Sequence, residues 1–323
     1  MRKVSDCAYK MSKTRTAPPA YVGFGMLTQV AILVVDQLPE HNTGALVKEV
    51  SEFIFDDAAI IACLLRQWNV PTALIGTAVG DDTPGHNLAR KLKEWGVQGE
   101  VRFSKAIKTP LEVDISDRTG ARTYFWQRTP EVLATLDTAE LSPLEGARLL
   151  YVDWYDGDHI IRAMDEAIRL GIPVFLNLEH AHTDADIINK YASRAVICQA
   201  VTDASQRGEE SPLEVTRRLL NNGIKIALVT LAGEGCLAVQ GNEAVRVHAP
   251  AVQVVDGCGA GATFSAGFIY GYFKGWSLVD SVQFATAAAS LKVTRPGLEM
   301  FSLKEILALA SEIKVEHLAF ASK

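Results

Sequence analysis

The chain has no CxxC pair, no Gly-Lys-Ser or Gly-Lys-Thr tripeptide, and no block of five basic residues. Each absence removes a class of function. The five cysteines, Cys7, Cys63, Cys198, Cys236 and Cys258, are odd in number and widely spaced. Neither a disulfide framework nor a zinc site is expected from them, and a reducing, cytoplasmic setting suits them. Without the tripeptide, a P-loop nucleotide site is excluded. A net charge of −6 without basic clusters argues against nucleic acid or an anionic membrane as partner, and points to a small molecule. The first nineteen residues carry Arg2, Lys3, Lys10, Lys13 and Arg15 but no apolar stretch. They read as neither secretory signal nor membrane span, and residues 1–20 are expected to form a flexible tail.

What is present begins at Val252. An apolar run to Val255 ends at Asp256, and Gly257, Gly259 and Gly261 follow at alternate positions. Phe264, Phe268 and Ile269 then recur at helical spacing. The pattern predicts strand, tight loop, helix. Such a loop lets backbone approach a ligand closely, and the free N–H groups of the helix start, with the helix dipole behind them, suit a phosphoryl group. Position 262 would suit a carboxylate acting as general base on an attacking hydroxyl, but it is alanine.

The stretch Asp256-Gly257-Cys258-Gly259-Ala260-Gly261-Ala262 resembles the second signature of the ribokinase/PfkB family of carbohydrate kinases, Asp-Thr-x-Gly-Ala-Gly-Asp. The resemblance runs from about Val22 to Pro296. It implies an α/β, ribokinase-like fold over residues 21–323: a mostly parallel central sheet with helices on both faces, and a small β-sheet lid from about 42–55 and 110–128. It also implies ATP and Mg²⁺ as cofactors, a sugar as acceptor, and a homodimer formed through the lid. By the same resemblance Gly259, Ala260 and Gly261 form the anion hole, Asp256 and Gly257 line the nucleotide, and the family's general base falls on Ala262.

Further motifs carry the likeness along the chain. Gly76-Thr77-Ala78-Val79-Gly80-Asp81-Asp82-Thr83-Pro84-Gly85 is similar to the family's Gly-x-Val-Gly-x-Asp-x-x-Gly turn. Val229-Thr230-Leu231-Ala232-Gly233-Glu234-Gly235 is similar to its nucleotide-binding Val-Thr-Leu-Gly-x-x-Gly, with a glycine moved from 232 to 233. Thr294-Arg295-Pro296-Gly297 matches its Thr-Arg-x-Gly end, and the alanine-rich helix 282–293, including Ala288, falls where the family receives adenine. Such a small-residue face is more often plain close packing, but together with the anion loop it favours a nucleotide pocket.

On the acceptor side the chain departs from the family. The Asp that holds sugar hydroxyls falls on Thr28, the Gly-Gly pair on Phe55-Asp56, and the Asn on Ile60, within one residue. Asp56 and Asp57 otherwise read as helix N-cap residues. In the family's Asn-x-x-Glu element, which helps organise magnesium, Ala200 stands for Asn and Asp203 for Glu. His180 and His182, near Glu179 and Asp184, lack the three or four convergent ligands of a zinc site. Strands alternating with helices from Leu149 onward predict a parallel sheet, with ligands at the carboxyl ends of its strands. A Rossmann dehydrogenase would need its glycines after the first strand, not in the last quarter.

Two functions follow. One is an ATP-dependent sugar kinase whose rate suffers from Ala262. The other is a non-catalytic relative that binds nucleotide or a metabolite as a sensor or partner subunit. The four departures at Thr28, Phe55-Asp56, Ala200 and Ala262 favour the second. A third idea makes Asp56 or Asp57 a substitute acid or base.

Overall fold

The computed structural model describes residues 18–117, 122–202, 210–297 and 301–320. In chain order the N-terminal half holds β1 (Tyr21–Gly25), β2 (Thr28–Val35), β3 (Val47–Phe55), α1 (Asp57–Gln67) and β4 (Thr72–Gly76). It continues with β5 (Val79–Gly80), α2 (Thr83–Glu94), β6 (Phe103–Ser104), β7 (Leu111–Ser116), β8 (Arg122–Trp126) and α3 (Pro130–Leu133). Then come β9 (Leu149–Asp153), α4 (Ile161–Arg169), β10 (Val174–Glu179), α5 (Ala185–Tyr191), β11 (Ile197–Val201), α6 (Pro212–Asn221) and β12 (Ile226–Thr230). The C-terminal part has β13 (Cys236–Gln240), β14 (Glu243–Val247), α7 (Ala260–Lys274), α8 (Leu278–Lys292), α9 (Leu303–Ala310) and β15 (Val315–Leu318).

The main sheet has nine strands in the order β15-β14-β13-β12-β11-β10-β9-β1-β4. β4, β1, β9, β10, β11 and β12 run parallel, and β13 to β15 add an antiparallel edge. The strands are almost wholly apolar because both faces are covered. One layer, with α1, α7 and α8, encloses Tyr21, Tyr151, Phe175, Phe268 and Phe284. The other, with α4 and α6, encloses Phe24, Val152, Leu176 and Leu219. Close approach of α7 to α8 rests on small residues: a Cβ on Gly267 would lie 2.7 Å from Ala285 Cα. This accounts for part of the alanine pattern of α8 by packing alone.

The small sheet is ordered β3-β2-β7-β8, with β7 and β8 antiparallel, and it includes β2, which the segments 42–55 and 110–128 expected for the lid leave out. Its side chains alternate. Val30, Ile32, Asp114 and Ser116 are buried against the body, whereas Val50 and Phe125 are exposed. Helix α1 starts with Asp56 as N-cap, its carboxylate accepting from the Asp57 N–H, in agreement with the capping expected there.

One expected element is missing. Residues 252–255 form no strand. After β14 the chain crosses toward α7 with no strand beside it to complete a ladder. The Val255 and Asp256 N–H groups instead donate to Val293 O. Asp256 therefore does not stand at a strand end, unlike Ala200 within β11 and Leu231 just past β12.

Candidate functional site

The site lies where the carboxyl ends of the parallel strands meet the starts of α1 and α7, beneath the lid. Helix α7 begins at Ala260 behind Gly259, which adopts φ 73°. A side chain there would be strained, and glycine is not. No side chain caps α7. Since an α-helix cannot bond the amides of its own first turn, Gly261 and Ala262 N–H remain for a guest, at the positive end of the dipole. The residues present therefore fit an anionic phosphoryl group. Ala262, in the same turn, is buried and presents only a methyl group.

The loop is braced from behind. Asp256 is fully buried and pairs with Lys292 Nζ at 2.7 Å. Its Oδ1 accepts from Ser116 Oγ at 2.7 Å and from the Cys258 N–H at 2.9 Å. Its Oδ2 accepts from the Gly297 N–H at 3.1 Å. Ser116 belongs to the lid, and the Cys258 thiol donates to Asp114 on the same lid strand. Burial, then the Asp114 charge, pushes the Cys258 thiol up, so it stays protonated.

Acids crowd the side of the site between α1 and the lid. Arg128 from the lid pairs with Asp56 and, at 2.7 Å, with Asp156, while its guanidinium lies 5.1 Å from the Tyr155 ring centre. Deeper in, Asn177 Nδ2 donates to Asp153 Oδ2 and Glu179 Oε1, both at 2.9 Å, and reaches Asp57 Oδ2 at 3.5 Å. Burial, then the neighbouring Asp56 and Glu179 charges, pushes the Asp57 carboxyl well up, and burial with Asp56 and Asp57 does the same to Asp153. Burial raises Asp156 to about 7 despite Arg128. Glu112 on β7 is raised to about 8, first by burial and then by Asp56.

Glu179 has φ 45° and ψ −128°, an uncommon conformation for a residue with a side chain, next to a register shift in β10. Its carboxylate lies beside the loop. A Cβ on Gly261 would lie 3.9 Å from both Glu179 Oε1 and Gln199 Nε2. Gln199 Nε2 and Tyr151 Oη are buried and have no hydrogen-bond partner among the described residues.

The positions singled out by sequence are only partly brought together. Gly257, Gly259, Ala260, Gly261 and Ala262 surround the start of α7, and Asp56 and Asp57 face the acid cluster. Thr28 is buried at the start of β2, its hydroxyl donating to Pro110 O at 2.8 Å. Ile60 is buried in the core. Thr230 ends β12, with its hydroxyl on Ala200 O at 3.3 Å, and Leu231 is buried.

In the turn that follows, Ala232 rather than Gly233 takes the positive φ, 48°, and Gly235 takes 96°. The backbone thus keeps a left-handed residue at 232 although the glycine has moved. Ala288 is buried within α8. Asp203 lies outside the described residues.

Among the described residues no group of three or more His, Cys, Asp or Glu is placed to hold a metal. His182 spends its ring nitrogens on Val201 O and Arg218, each at 3.1 Å. A groove of about 1120 Å³ between Asp137 and Arg169 shares no residue with the site. No helix of the described residues is long and apolar enough to cross a membrane.

Sequence reading missed Lys292, Ser116, Arg128, Asp153, Asp156 and Asn177. A signal existed for two of them, since Asp153 and Asp156 flank the carboxyl end of a parallel strand, where ligands gather. Lys292 closes α8, where a basic last turn is ordinary and gave no such signal.

Comparison with known proteins agrees with this architecture. The family model described as pfkB family carbohydrate kinase matches residues 32–304. The ATP-dependent 6-phosphofructokinase of Thermoanaerobacterium thermosaccharolyticum is 29% identical over 242 residues, covering 70% of this chain and 74% of its own. The Arabidopsis thaliana protein named probable fructokinase-5 is 24% identical over 310 residues, 86% of this chain and 93% of its own. Among solved structures, Arabidopsis thaliana ribokinase complexed with ribose and ATP superposes with a TM-score of 0.71 at 22% identity, over 91% of this chain and 99% of that one. Ribokinase from Thermotoga maritima gives 0.73 at 18%, with the same coverage. These two likenesses establish the ribokinase-like fold.

Proposed function

Because the chain belongs to the pfkB family of carbohydrate kinases, we propose that it holds ATP with Mg²⁺ at the start of α7 and a sugar-like acceptor beneath the lid, and that phosphoryl transfer between them is slow. The observation that carries this reading is Ala262: a methyl group in the helix turn whose amides are free for a phosphoryl group, where the family resemblance expects a carboxylate. ATP would supply the phosphoryl group. The chain's part is to hold it over the Gly261 and Ala262 amides, to exclude water with the lid, and to present the acceptor hydroxyl. The missing part is a proton acceptor at 262. Absence of a general base costs about two to four powers of ten in rate, roughly 3–5 kcal/mol of barrier.

A second reading, a non-catalytic homologue that binds nucleotide or a metabolite as sensor or partner subunit, is favoured by Arg128. This residue ties Asp56 and Asp156 together on the acceptor side. In either reading a homodimer forms through the exposed face of the lid.

The test is thermal unfolding with and without magnesium–ATP, followed by coupled detection of ADP across a sugar panel for the native chain and for Ala262→Asp. A ligand that binds only the folded state raises its apparent stability. Stabilisation by ATP, with turnover rising about a hundredfold or more in Ala262→Asp, supports the slow kinase. Stabilisation without turnover in either protein supports the non-catalytic reading. No shift with ATP and no turnover defeats the nucleotide site.

A further inference from the structure

Charge around the acceptor side does not balance. Asp56 and Asp57 come from α1, Asp153 and Asp156 from the end of β9 and the turn after it, Glu179 from β10, and Glu112 and Asp114 from the lid. Against these seven carboxylates stand Arg128 and Arg122, with Lys292 reaching Asp114 and His159 reaching Asp156, although each of those two is already paired with an acid outside the seven. Arg128 is committed to Asp56 and Asp156. Burial opposes the charge of Arg122, and Glu179, Asp114 and Asp57 hold it in the charged form.

The innermost three acids, Asp57, Asp153 and Glu179, meet at one neutral group, the Asn177 amide. An amide offers two N–H donors and no charge. Like charges converging in a buried place are held only by protons or by a cation.

A second observation points to a guest. Tyr151 lies on the same face of β9 as Asp153, two residues back, and is fully buried. Its ring is fixed by Phe175 at 5.4 Å and Tyr21 at 6.4 Å. Yet its hydroxyl has no partner among the described residues, and the groups that oppose its ionisation after burial are led by Asp57 and Asp153. Gln199 Nε2, also buried and unpartnered, lies on the loop side of Glu179. Buried polar groups without partners are rare, and those that occur call for an explanation such as a ligand.

We propose that Asp57, Asp153 and Glu179, with the Tyr151 hydroxyl, form a binding site for a protonated amine, so that the ligand beneath the lid is an amino sugar or amino alcohol rather than a neutral sugar. An ammonium group has three N–H donors, one for each carboxylate, and its charge replaces the missing cation. A neutral polyol supplies donors without the charge. An N-acylated amine loses the charge and adds bulk. The proposal rests on the reading of this face as the acceptor side, but it needs neither nucleotide nor turnover.

The experiment measures thermal unfolding and calorimetric binding of the full chain at neutral pH, without ATP, using D-glucosamine, D-glucose, N-acetyl-D-glucosamine and 2-aminoethanol as probes. The expected result is stabilisation by one or both amines and none by the two neutral sugars. In Asp153→Asn the amine should bind about thirtyfold more weakly or worse, as when one partner of a buried charge pair is truncated. Stabilisation by glucose equal to that by glucosamine overturns the proposal, and so does silence of both amines.

Unliganded Asp57→Asn and Asp153→Asn supply an independent readout. If the cluster is kept for a cation, removing one charge leaves the melting temperature unchanged or higher. If the acids merely hold the fold together, both variants melt lower, which also overturns the proposal. A chain that binds amines but shows no shift with magnesium–ATP would refute the kinase reading alone.

Discussion

Lys292 Nζ lies 2.7 Å from Asp256 Oδ2, and neither side chain reaches solvent. The pair joins the end of α8 to the loop before α7. Three further donors, Ser116 Oγ and the N–H groups of Cys258 and Gly297, complete the aspartate. Lys292 also donates to Asp256 O at 3.1 Å. The shape of the turn before α7 thus depends on a charge pair 36 residues apart in sequence and on one lid residue.

Removing one partner of a buried pair leaves the other charge uncompensated, at a cost of about 3–5 kcal/mol. Lys292→Met should lose that much stability in chemical denaturation. The double substitution Asp256→Asn with Lys292→Met should lose less, because no charge is stranded. Equal losses would mean that packing of the lysine stem, rather than its charge, sets the effect.

Arg128 predicts a similar pattern at the lid. It joins Asp56, the N-cap of α1, to Asp156, whose side chain is 1% exposed. Arg128→Met should destabilise the chain, and adding Asp156→Asn should recover part of the loss. By contrast, Arg90→Ala removes an exposed pair with Glu94 and should barely change stability. A strong effect at Arg90 and a weak one at Arg128 would reverse the ranking that burial demands.

The acid cluster fixes how stability depends on pH. Unfolded carboxyls titrate near pH 4. In the folded chain Asp156 is raised to about 7 and Glu112 to about 8, with Asp57 and Asp153 also raised. Between about pH 4 and 8 the folded state therefore binds more protons than the unfolded state, so unfolding free energy falls as pH rises. His182, held below its usual value chiefly by burial, gives the opposite slope below about pH 6.5, but it is one group against five, since burial raises Asp114 as well. The lowered carboxyls Asp82 and Asp158 lose their contribution only below about pH 4. Melting temperature of the unliganded chain should be higher near pH 5.5 than near pH 8, and Asp57→Asn should flatten the difference. A rise toward pH 8 would show that the acids are compensated.

Local signals made much of the fold legible. Asp56 before an apolar helix and the alternation of strands and helices after Leu149 both lie within short windows. The glycines at 257, 259 and 261 likewise marked the start of α7. The apolar run 252–255 misled because hydrophobicity alone does not say whether a neighbouring strand is available, and after β14 none is. Lys292, Ser116 and Arg128 were invisible for another reason. Their partners are 28 to 140 residues away, and no local period encodes such convergence. Tyr151 and Asn177 looked like ordinary strand residues, and only the packed sheet reveals that one hydroxyl is unpartnered and one amide serves three acids.

The outer face of the lid carries the last prediction. Register places Val113 opposite Phe125 and Leu33 opposite both Ile115 and Val50. Directly opposed residues share a face of the sheet, so these apolar side chains line one surface, turned away from Asp114 and Ser116. Val50 is 60% exposed and Phe125 62%. Apolar rows in water gain from being covered, and a two-fold axis would set the same face of a second lid against the first. The chain should run as a dimer by light scattering, and Val50→Lys with Phe125→Lys should convert it to a folded monomer. A monomeric native chain would remove the dimer. A dimer untouched by both substitutions would place the interface away from this face.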